Sequence, residues 1–561
     1  MISHAFARHL KPTKTMTTKT SAITAITTVV PALLAGGIAL LPAAAARAAG
    51  PDSAPATQKR PPNVLLIAID DLNDWVGSFG GNPQTRTPNL DKLCQQGAIT
   101  FQNAYCAGPV SCPSRSALLS GFMPNRSGVY GNTQNMRRSP LVQTHATLPE
   151  YFAKNGYDTI SRGKIFHKHA SAQGFDEGQW AFADWSKTTG GGGNNSYDPK
   201  QLFSRLKSTY NGQKGDPWKD DDRPSERGDG EENVDFTWGP TRDQKEDMAD
   251  YKTAQWAAGV LAKTHDKPFF LAVGIAKPHL PWFVPQEYFD RHPLDTIKIP
   301  EYRLDDLDDI LTPDGKKKFS PSADFRWVTS AIGQRENLFK RAVQAYLAAA
   351  SFADDCVGVV LDALEKSPDR DNTIVIVFGD HGWHLGEKLR FRKSTLWQEA
   401  TRLPLMIRTP AYTQSRTDCP RVVNLMDLYS TLIDLCGLPP KPEIDGRSIA
   451  PLLRDPTQPW DHPSVTINGF KNACARDERW YLIRYADHTE EFYDMKTDPM
   501  QWTNLSRSKD PEVLAAKTKL AKALPKDFAP KVYADPVAKR IDKNAPVLPN
   551  PDQKRDLSKL Q

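Results

Sequence analysis

Two apolar patterns alternate along the chain. The first is a short unbroken apolar run that stops abruptly at polar residues: NVLLIAIDD at 63–71, KPFFLAVGI at 267–275 and TIVIVFGDH at 373–381. Runs of this length without polar alternation predict strands buried on both faces, as in a parallel sheet covered by helices. In the second pattern apolar residues recur at helical spacing, as in TLPEYFAKNGY at 147–157 and AVQAYLAAASFADDCVGVVLDALEK at 342–366. Buried strands alternating with helices predict an α/β fold, a large doubly wound mixed sheet flanked by helices. From about 450 the apolar runs shorten to pieces such as RWYLIRYA and EEFYDMKTDP, which predict a smaller C-terminal antiparallel-sheet subdomain. The expected organisation is a main α/β domain over 60–450, a C-terminal α+β subdomain over 451–525 and an extended tail over 526–561. Residues 188–240, with GGGGNN and KDDDRPSERGDGEEN, read as a polar surface insertion.

The first 49 residues follow a third pattern. Arg8, Lys11, Lys14, Lys19 and Arg47 occur with no acidic residue, around an apolar run from Ile23 to Leu41 and the small-residue string PAAAARAAG. This is the plan of a secretory signal peptide, with cleavage expected after Ala48 or Ala49 and an alternative start at Met16. The segment accounts for most of the formal net charge of +6, because its five basic residues are unopposed. The remainder is close to neutral, which argues against a nucleic-acid partner. Beyond the signal, no apolar stretch of the 561-residue chain reaches the roughly 18 residues that span a bilayer. The expectation is an exported protein, periplasmic or secreted, with no integral membrane segment once the signal is removed. Seven cysteines, at 94, 106, 112, 356, 419, 436 and 474, form no CxxC pair, so neither a zinc site nor a disulfide framework is indicated. One or two bridges are compatible with an oxidising compartment.

Candidate chemistry gathers where the apolar runs end. Asp70–Asp71 and Asp380–His381 terminate two of the predicted strands, and the carboxyl ends of strands are where open α/β sheets bind ligands. Carboxylates converging there repel one another unless a cation neutralises them, so a hard divalent ion with oxygen ligands is expected, calcium foremost. The stretch CAGPVSCPSRSALLSG at 106–121 offers two neighbouring nucleophiles. Cys112 beside a cation would be a reactive thiolate, or merely a small buried hydrophobe. Ser111 is the other choice.

The ordered set NVLLIAIDD, SCPSRSALLSG, GYDTISRGKIFH, FFLAVGIAKPHLPW and GDHGWHLGE resembles a sulfatase of the alkaline phosphatase superfamily, most closely the iduronate-2-sulfatase branch. The resemblance spans about 60 to 510 and includes EFYDMKTDPMQWTNL. The family's nucleophile pattern is Cys or Ser, any residue, Pro, any residue, Arg. Setting Pro113 and Arg115 on its fixed positions places Ser111 at the nucleophile and Cys112 at the variable position.

The resemblance implies that Ser111 is matured to formylglycine by a formylglycine-generating enzyme. It implies one divalent ion, Ca2+, held by Asp70, Asp71, Asp380 and His381 and touched by residue 111. His381 stands where many sulfatases have Asn, so contact with sulfate or diol is also expected of it. Arg115 and Lys164 match the cations that hold the diol and sulfate oxygens. His167 matches the base for the second hydroxyl, and His279 and Lys393 match the pair gripping sulfate near the leaving oxygen. Trp383 matches a position lining the sugar pocket, with His384 beside it in place of a small residue.

The expected function is hydrolysis of a sulfate ester on a sulfated, uronic-acid-containing saccharide. Two alternatives stand beside it. One is a phosphodiesterase, phosphonate monoester hydrolase or choline-sulfatase-like enzyme of the same superfamily. The other is a non-catalytic glycan-binding protein, should Ser111 stay unmatured.

Overall fold

Strand β1 (Asn63–Ile69) lies at the middle of the main sheet, every one of its residues buried. The computed structural model describes residues 60–167, 236–241, 243–335, 337–412, 417–532 and 561. The signal segment, most of the 188–240 insertion and the tail over 533–560 therefore lie outside the described residues.

The remaining strands are β2 (Ile99–Tyr105), β3 (Asp158–Gly163), β4 (Trp238–Thr241), β5 (Phe269–Ile275), β6 (Trp282–Pro285), β7 (Thr373–Gly379), β8 (His384–Leu385), β9 (Phe391–Arg392), β10 (Arg402–Leu403), β11 (Leu405–Arg408) and β12 (Thr417–Asn424), followed by β13 to β16 below. Eight of them form one sheet in the order β10–β2–β11–β7–β1–β5–β3, with β12 also pairing β2. β1 is parallel to both β5 and β7, and β3 is parallel to β5. β11 runs antiparallel to β7 and β2, so the sheet is mixed. The unbroken apolar runs at 63–71, 267–275 and 373–381 are thus the three central parallel strands, where both faces need apolar cover.

Alternation along β1 divides the core into two layers. Val64, Leu66 and Ala68 pack with the helices Ser111–Ser120, Leu148–Lys154 and Asp427–Leu435. Leu65, Ile67 and Ile69 pack on the other face with the helices Ala249–Leu261 and Leu338–Glu365. The latter carries its small residues Ala345, Ala348, Ala349 and Ala353 fully inside, which lets it lie close to the sheet. No helix among the described residues is long and apolar enough to cross a membrane.

The C-terminal sheet contains β13 (Ser464–Ile467), β14 (Ala473–Arg476), β15 (Trp480–Arg484) and β16 (Glu490–Asp494), antiparallel and in sequence order. Ala473, Ala475 and Leu482 face the helix Pro511–Ala521, while Cys474, Tyr481 and Ile483 pack into the main core.

One boundary needs correction. The end of the segment read as a polar insertion is core: Phe236 and Trp238 are buried, and Phe236 meets Trp238, Trp282 and Phe391 edge-on at 5.2–5.9 Å. The two large aromatic side chains Phe236 and Trp238 outweigh the charged stretch before them, because each buries area worth roughly 1.5–3 kcal/mol.

Candidate active site

The register of the central strands brings four chain segments to one edge. Ile69 pairs with Ile275 on one side and Gly379 on the other, so Asp70, Ala276 and Asp380 leave the sheet at the same level. Gly163 pairs with Gly274, which sets Lys164 one strand further out. Gly163 has φ of 80°, and a side chain there would strike the carbonyl of Gly274. Glycine at this position is what permits Lys164 to turn in towards the sheet end.

The helix Ser111–Ser120 starts at the same edge, and its first residue points at the acids. Ser111 Oγ lies 3.2 Å from Asp70 Oδ1 and 3.1 Å from His381 Nε2. Arg115 follows four residues later on the same helical face. Its Nε donates to Asp380 Oδ2 at 2.8 Å and its Nη2 to Asp70 Oδ1 at 3.1 Å, while Nη1 donates to the carbonyls of Lys164 and Ile165. Cys112 points elsewhere: its Sγ donates to Gln134 O at 3.2 Å, and its side chain belongs to the helix-covered core.

Asp71 lies at the centre of the charges. Lys393 Nζ donates to its Oδ1 at 2.5 Å, His381 Nε2 is 3.3 Å from the same oxygen, and His279 Nε2 is 3.8 Å from Oδ2. The Asp71 N–H donates to Asp380 Oδ1 at 3.1 Å. Lys164 Nζ pairs with Asp70 Oδ2. Burial works to raise the Asp70 carboxyl, but Lys164, His279, Arg115 and Lys393 together hold it well below the usual range. Asp71 behaves likewise, with burial opposed chiefly by Lys393 and His279. Burial lowers Lys164 despite Asp70 beside it.

Two imidazoles flank the cluster in neutral form. Burial pushes His279 down to about 4, against the pull of Asp71. Its Nδ1 bonds the Leu280 carbonyl at 2.5 Å, which leaves Nε2 facing Asp71. Burial, then Lys164, hold His167 well below the usual imidazole range, and both its ring nitrogens are buried without a hydrogen-bond partner among the described residues.

The donor set suits a hard cation. Asp70, Asp71 and His279 present ligand atoms within 4.8 Å of one another, as do Asp71, Asp380 and His381. Asp71 Oδ2 is buried with no hydrogen-bond partner among the described residues, an anionic oxygen that a divalent ion would satisfy.

Trp383 joins the site through Lys393, whose Nζ lies 5.4 Å from the indole centroid. His384, expected beside it in the substrate pocket, is instead inside the core. Its Nε2 bonds Thr395 Oγ1 at 2.7 Å and its ring meets Trp397 edge-on. Trp383 is itself buried in the core layer, its ring meeting Trp282 edge-on at 6.2 Å.

Several supporting residues escaped the sequence reading. The carboxylate of Asp250 accepts from the N–H groups of Ala276 and Lys277 at 2.9 and 2.8 Å, and buried Lys277 Nζ donates to the carbonyls of His279 and Pro281. These bonds fix the turn that carries His279. Asn73 Nδ2 donates to Trp383 O at 3.1 Å and ties the Asp71 turn to the Asp380 loop. Lys277 stands in the AKPHLPW motif, but Asp250 and Asn73 carry no spacing signal that would have revealed them.

The family model "Sulfatase" matches residues 62–438, and the model "N-sulphoglucosamine sulphohydrolase, C-terminal" matches residues 379–528. A protein named sulfatase from Formosa agariphila is 36% identical over 455 residues, covering 79% of this chain and 82% of its own. Iduronate 2-sulfatase of Mus musculus is 30% identical over 416 residues, covering 68% and 69% respectively. The solved phosphonate monoester hydrolase of Agrobacterium radiobacter superposes with a TM-score of 0.60 at 20% identity, over 82% of this chain and 94% of that one, a likeness of fold.

Proposed function

Because the chain belongs to the sulfatase family and is a sulfuric ester hydrolase, we propose that it removes sulfate from a uronic-acid-containing saccharide, using residue 111 matured to formylglycine. The observation that carries the reading is the position of Ser111. Its Oγ lies among Asp70, His381 and the cations, while the neighbouring thiol faces the core. The similarity to a protein named iduronate 2-sulfatase supports a uronate-bearing substrate. The signal-like segment at 1–49 supports export, and a formylglycine-generating enzyme is the maturation partner.

A divalent ion held by Asp70, Asp71, Asp380 and His381 would supply positive charge beside the nucleophile and the sulfate oxygens; calcium suits these ligands, which include no thiolate. Matured residue 111 would supply a hydrated aldehyde, one hydroxyl for attack on sulfur and a second through which sulfate leaves as the aldehyde re-forms. The other residues act as donors, acceptors and fixed charges. Asp70 stays ionised and orients the oxygen of residue 111 through its 3.2 Å contact. Arg115, bonded to Asp70 and Asp380, holds both carboxylates and adds charge for the sulfate oxygens. Lys164 and Lys393 add two further cations.

With Nδ1 of His279 committed to Leu280, Nε2 is the atom that exchanges a proton with the leaving oxygen. An entering sulfate raises the proton affinity of this imidazole, which in the free protein is neutral. His167, neutral and with both nitrogens unpaired among the described residues, would be the base for the second hydroxyl. Trp383 forms part of the sugar-facing wall.

Sulfate release from 2-sulfated uronic-acid disaccharides, measured against choline sulfate, an aryl sulfate and an aryl phosphodiester, tests the reading. Preference for the disaccharide is expected. Preference for choline sulfate or the phosphodiester would replace the saccharide reading with one of its alternatives. Mass spectrometry of the Ser111 peptide should show the loss of two hydrogens; an unmodified serine in protein from the native host would favour a glycan-binding role.

A further inference from the structure

Strand β13 ends against the segment that leads to residue 111. The Ile467 N–H donates to Ala107 O at 2.9 Å and Thr466 Oγ1 donates to Cys106 O at 2.5 Å. The turn that follows, 468–472, closes on itself through Asn468 N–H to Asn472 O and Asn472 Nδ2 to Asn468 O, both 3.0 Å. Asn468 Nδ2 also donates to Ser394 O at 2.7 Å, next to Lys393, and the Ser394 N–H donates to Pro109 O at 3.0 Å. The turn is therefore held against both segments that supply the site, the one carrying Ser111 and the one carrying Lys393.

At the apex stands Phe470. Among the described residues the exposed large apolar side chains are Ile299, Leu304, Phe470 and Leu514, and Phe470 is the aromatic one, 45% exposed. Tyr130 and Phe528 contact its ring edge-on at 5.9 and 5.8 Å, which fixes its orientation while leaving much of it in water. Lys471, held in the left-handed region at φ 63°, places its Nζ 5.3 Å from the ring centroid. A half-exposed aromatic ring with a cation over it, mounted on a short cross-bonded turn, matches an acidic sugar. The C–H groups of the pyranose pack on the part of the ring left in water, and a carboxylate or sulfate meets the ammonium.

We propose that Phe470 and Lys471 form the subsite for the sugar unit adjoining the sulfated one, so that the C-terminal sheet selects saccharides over small sulfate esters. This rests on the saccharide reading above. The test compares wild type with Phe470→Ala, Phe470→Tyr and Lys471→Ala on a 2-sulfated uronic-acid disaccharide and on a small aryl sulfate. The quantity read is the ratio of the two kcat/KM values. Phe470→Ala should lower that ratio about tenfold through KM for the disaccharide, as expected for losing one aromatic anchor, and Phe470→Tyr should restore it. Lys471→Ala should lower it for the acidic disaccharide as well. An unchanged ratio in Phe470→Ala, with the wild type active on the disaccharide, overturns the subsite alone. A wild type that hydrolyses the aryl sulfate but no sulfated saccharide overturns the substrate reading and the subsite together.

Discussion

The hydroxyl of Tyr346 donates to the backbone carbonyl of Asp71 at 2.9 Å, across the interface between the long helix Leu338–Glu365 and the end of β1. The same hydroxyl accepts from the Asn73 N–H at 2.9 Å. Asp71 has φ of 61°, a left-handed conformation that costs a non-glycine residue about 1–2 kcal/mol. Tyr346 and the bond from the Asp71 N–H to the Asp380 carboxylate hold it there.

Tyr346→Phe should keep the edge-on contacts with Trp75 and Trp282 and remove only the hydroxyl. Two buried backbone groups then lose their partner, at a cost of about 1–3 kcal/mol. Urea unfolding should show that loss, and calorimetric titration should show weaker calcium binding. Unchanged calcium affinity would mean that Asp71 keeps its conformation without the hydroxyl.

Ser111→Ala removes the oxygen that contacts Asp70 and His381, and no neighbouring group can replace it. Activity should fall by several powers of ten, on the order seen when a covalent nucleophile is deleted. Cys112→Ser exchanges one small buried side chain for another that can still donate to Gln134 O, so its effect should be modest. Ser111→Cys should be active only in a host whose maturation enzyme accepts cysteine. A dead Cys112→Ser beside a normal Ser111→Ala would reverse the assignment of the nucleophile.

Asp380→Asn leaves Arg115 and Asp71 one anionic partner short, although the Asp71 N–H can still be accepted. Under the proposed calcium site, elemental analysis should find less bound divalent ion than in wild type, and activity should fall with it. Breaking one partner of a buried pair costs about 3–5 kcal/mol, so the melting temperature should drop too. Full calcium occupancy in the variant would remove Asp380 from the ligand set.

Burial, with Arg86 and Arg291 adding to it, pushes buried His292 down to about 4, while its Nε2 bonds Ser351 Oγ at 2.9 Å. In the unfolded chain the imidazole titrates near 6.5, so between about pH 6.5 and 4 the unfolded state binds a proton that the folded state refuses. This contribution to stability is present above 6.5 and is lost as pH falls, by at most about 1.4 kcal/mol per pH unit. Burial raises Asp354 to about 7 and Glu399 to about 8, which acts in the opposite sense. The wild-type and His292→Asn unfolding curves from pH 7.5 to 5 separate the two effects: the variant should lose less stability on acidification. Parallel curves would show that His292 carries no such linkage.

The three central strands were legible because burial on both faces leaves unbroken apolar runs, and Asp70, Asp71, Asp380 and His381 were legible because they end those runs. Ser111 was singled out by its spacing to Pro113 and Arg115, and its Oγ lies 3.2 Å from Asp70 Oδ1. The order of the strands was not, since parallel neighbours such as β1 and β7 lie some 300 residues apart in the chain and pair only through the folded core. The same limit hid Phe236 and Trp238 behind a charged stretch, and buried His384 against Thr395 and Trp397.

The sequence alone determined the chemical type and local spacing of the candidate side chains, because these are properties of the chain. Only the tertiary structure decided how the Ser111 oxygen meets Asp70 and His381, that Oδ2 of Asp71 has no hydrogen-bond partner among the described residues, and that Tyr346, Asp250 and Lys277 support the turns carrying Asp71 and His279. Those outcomes depend on strand register and on helices packed across the sheet, and both are set by long-range burial that no local pattern encodes.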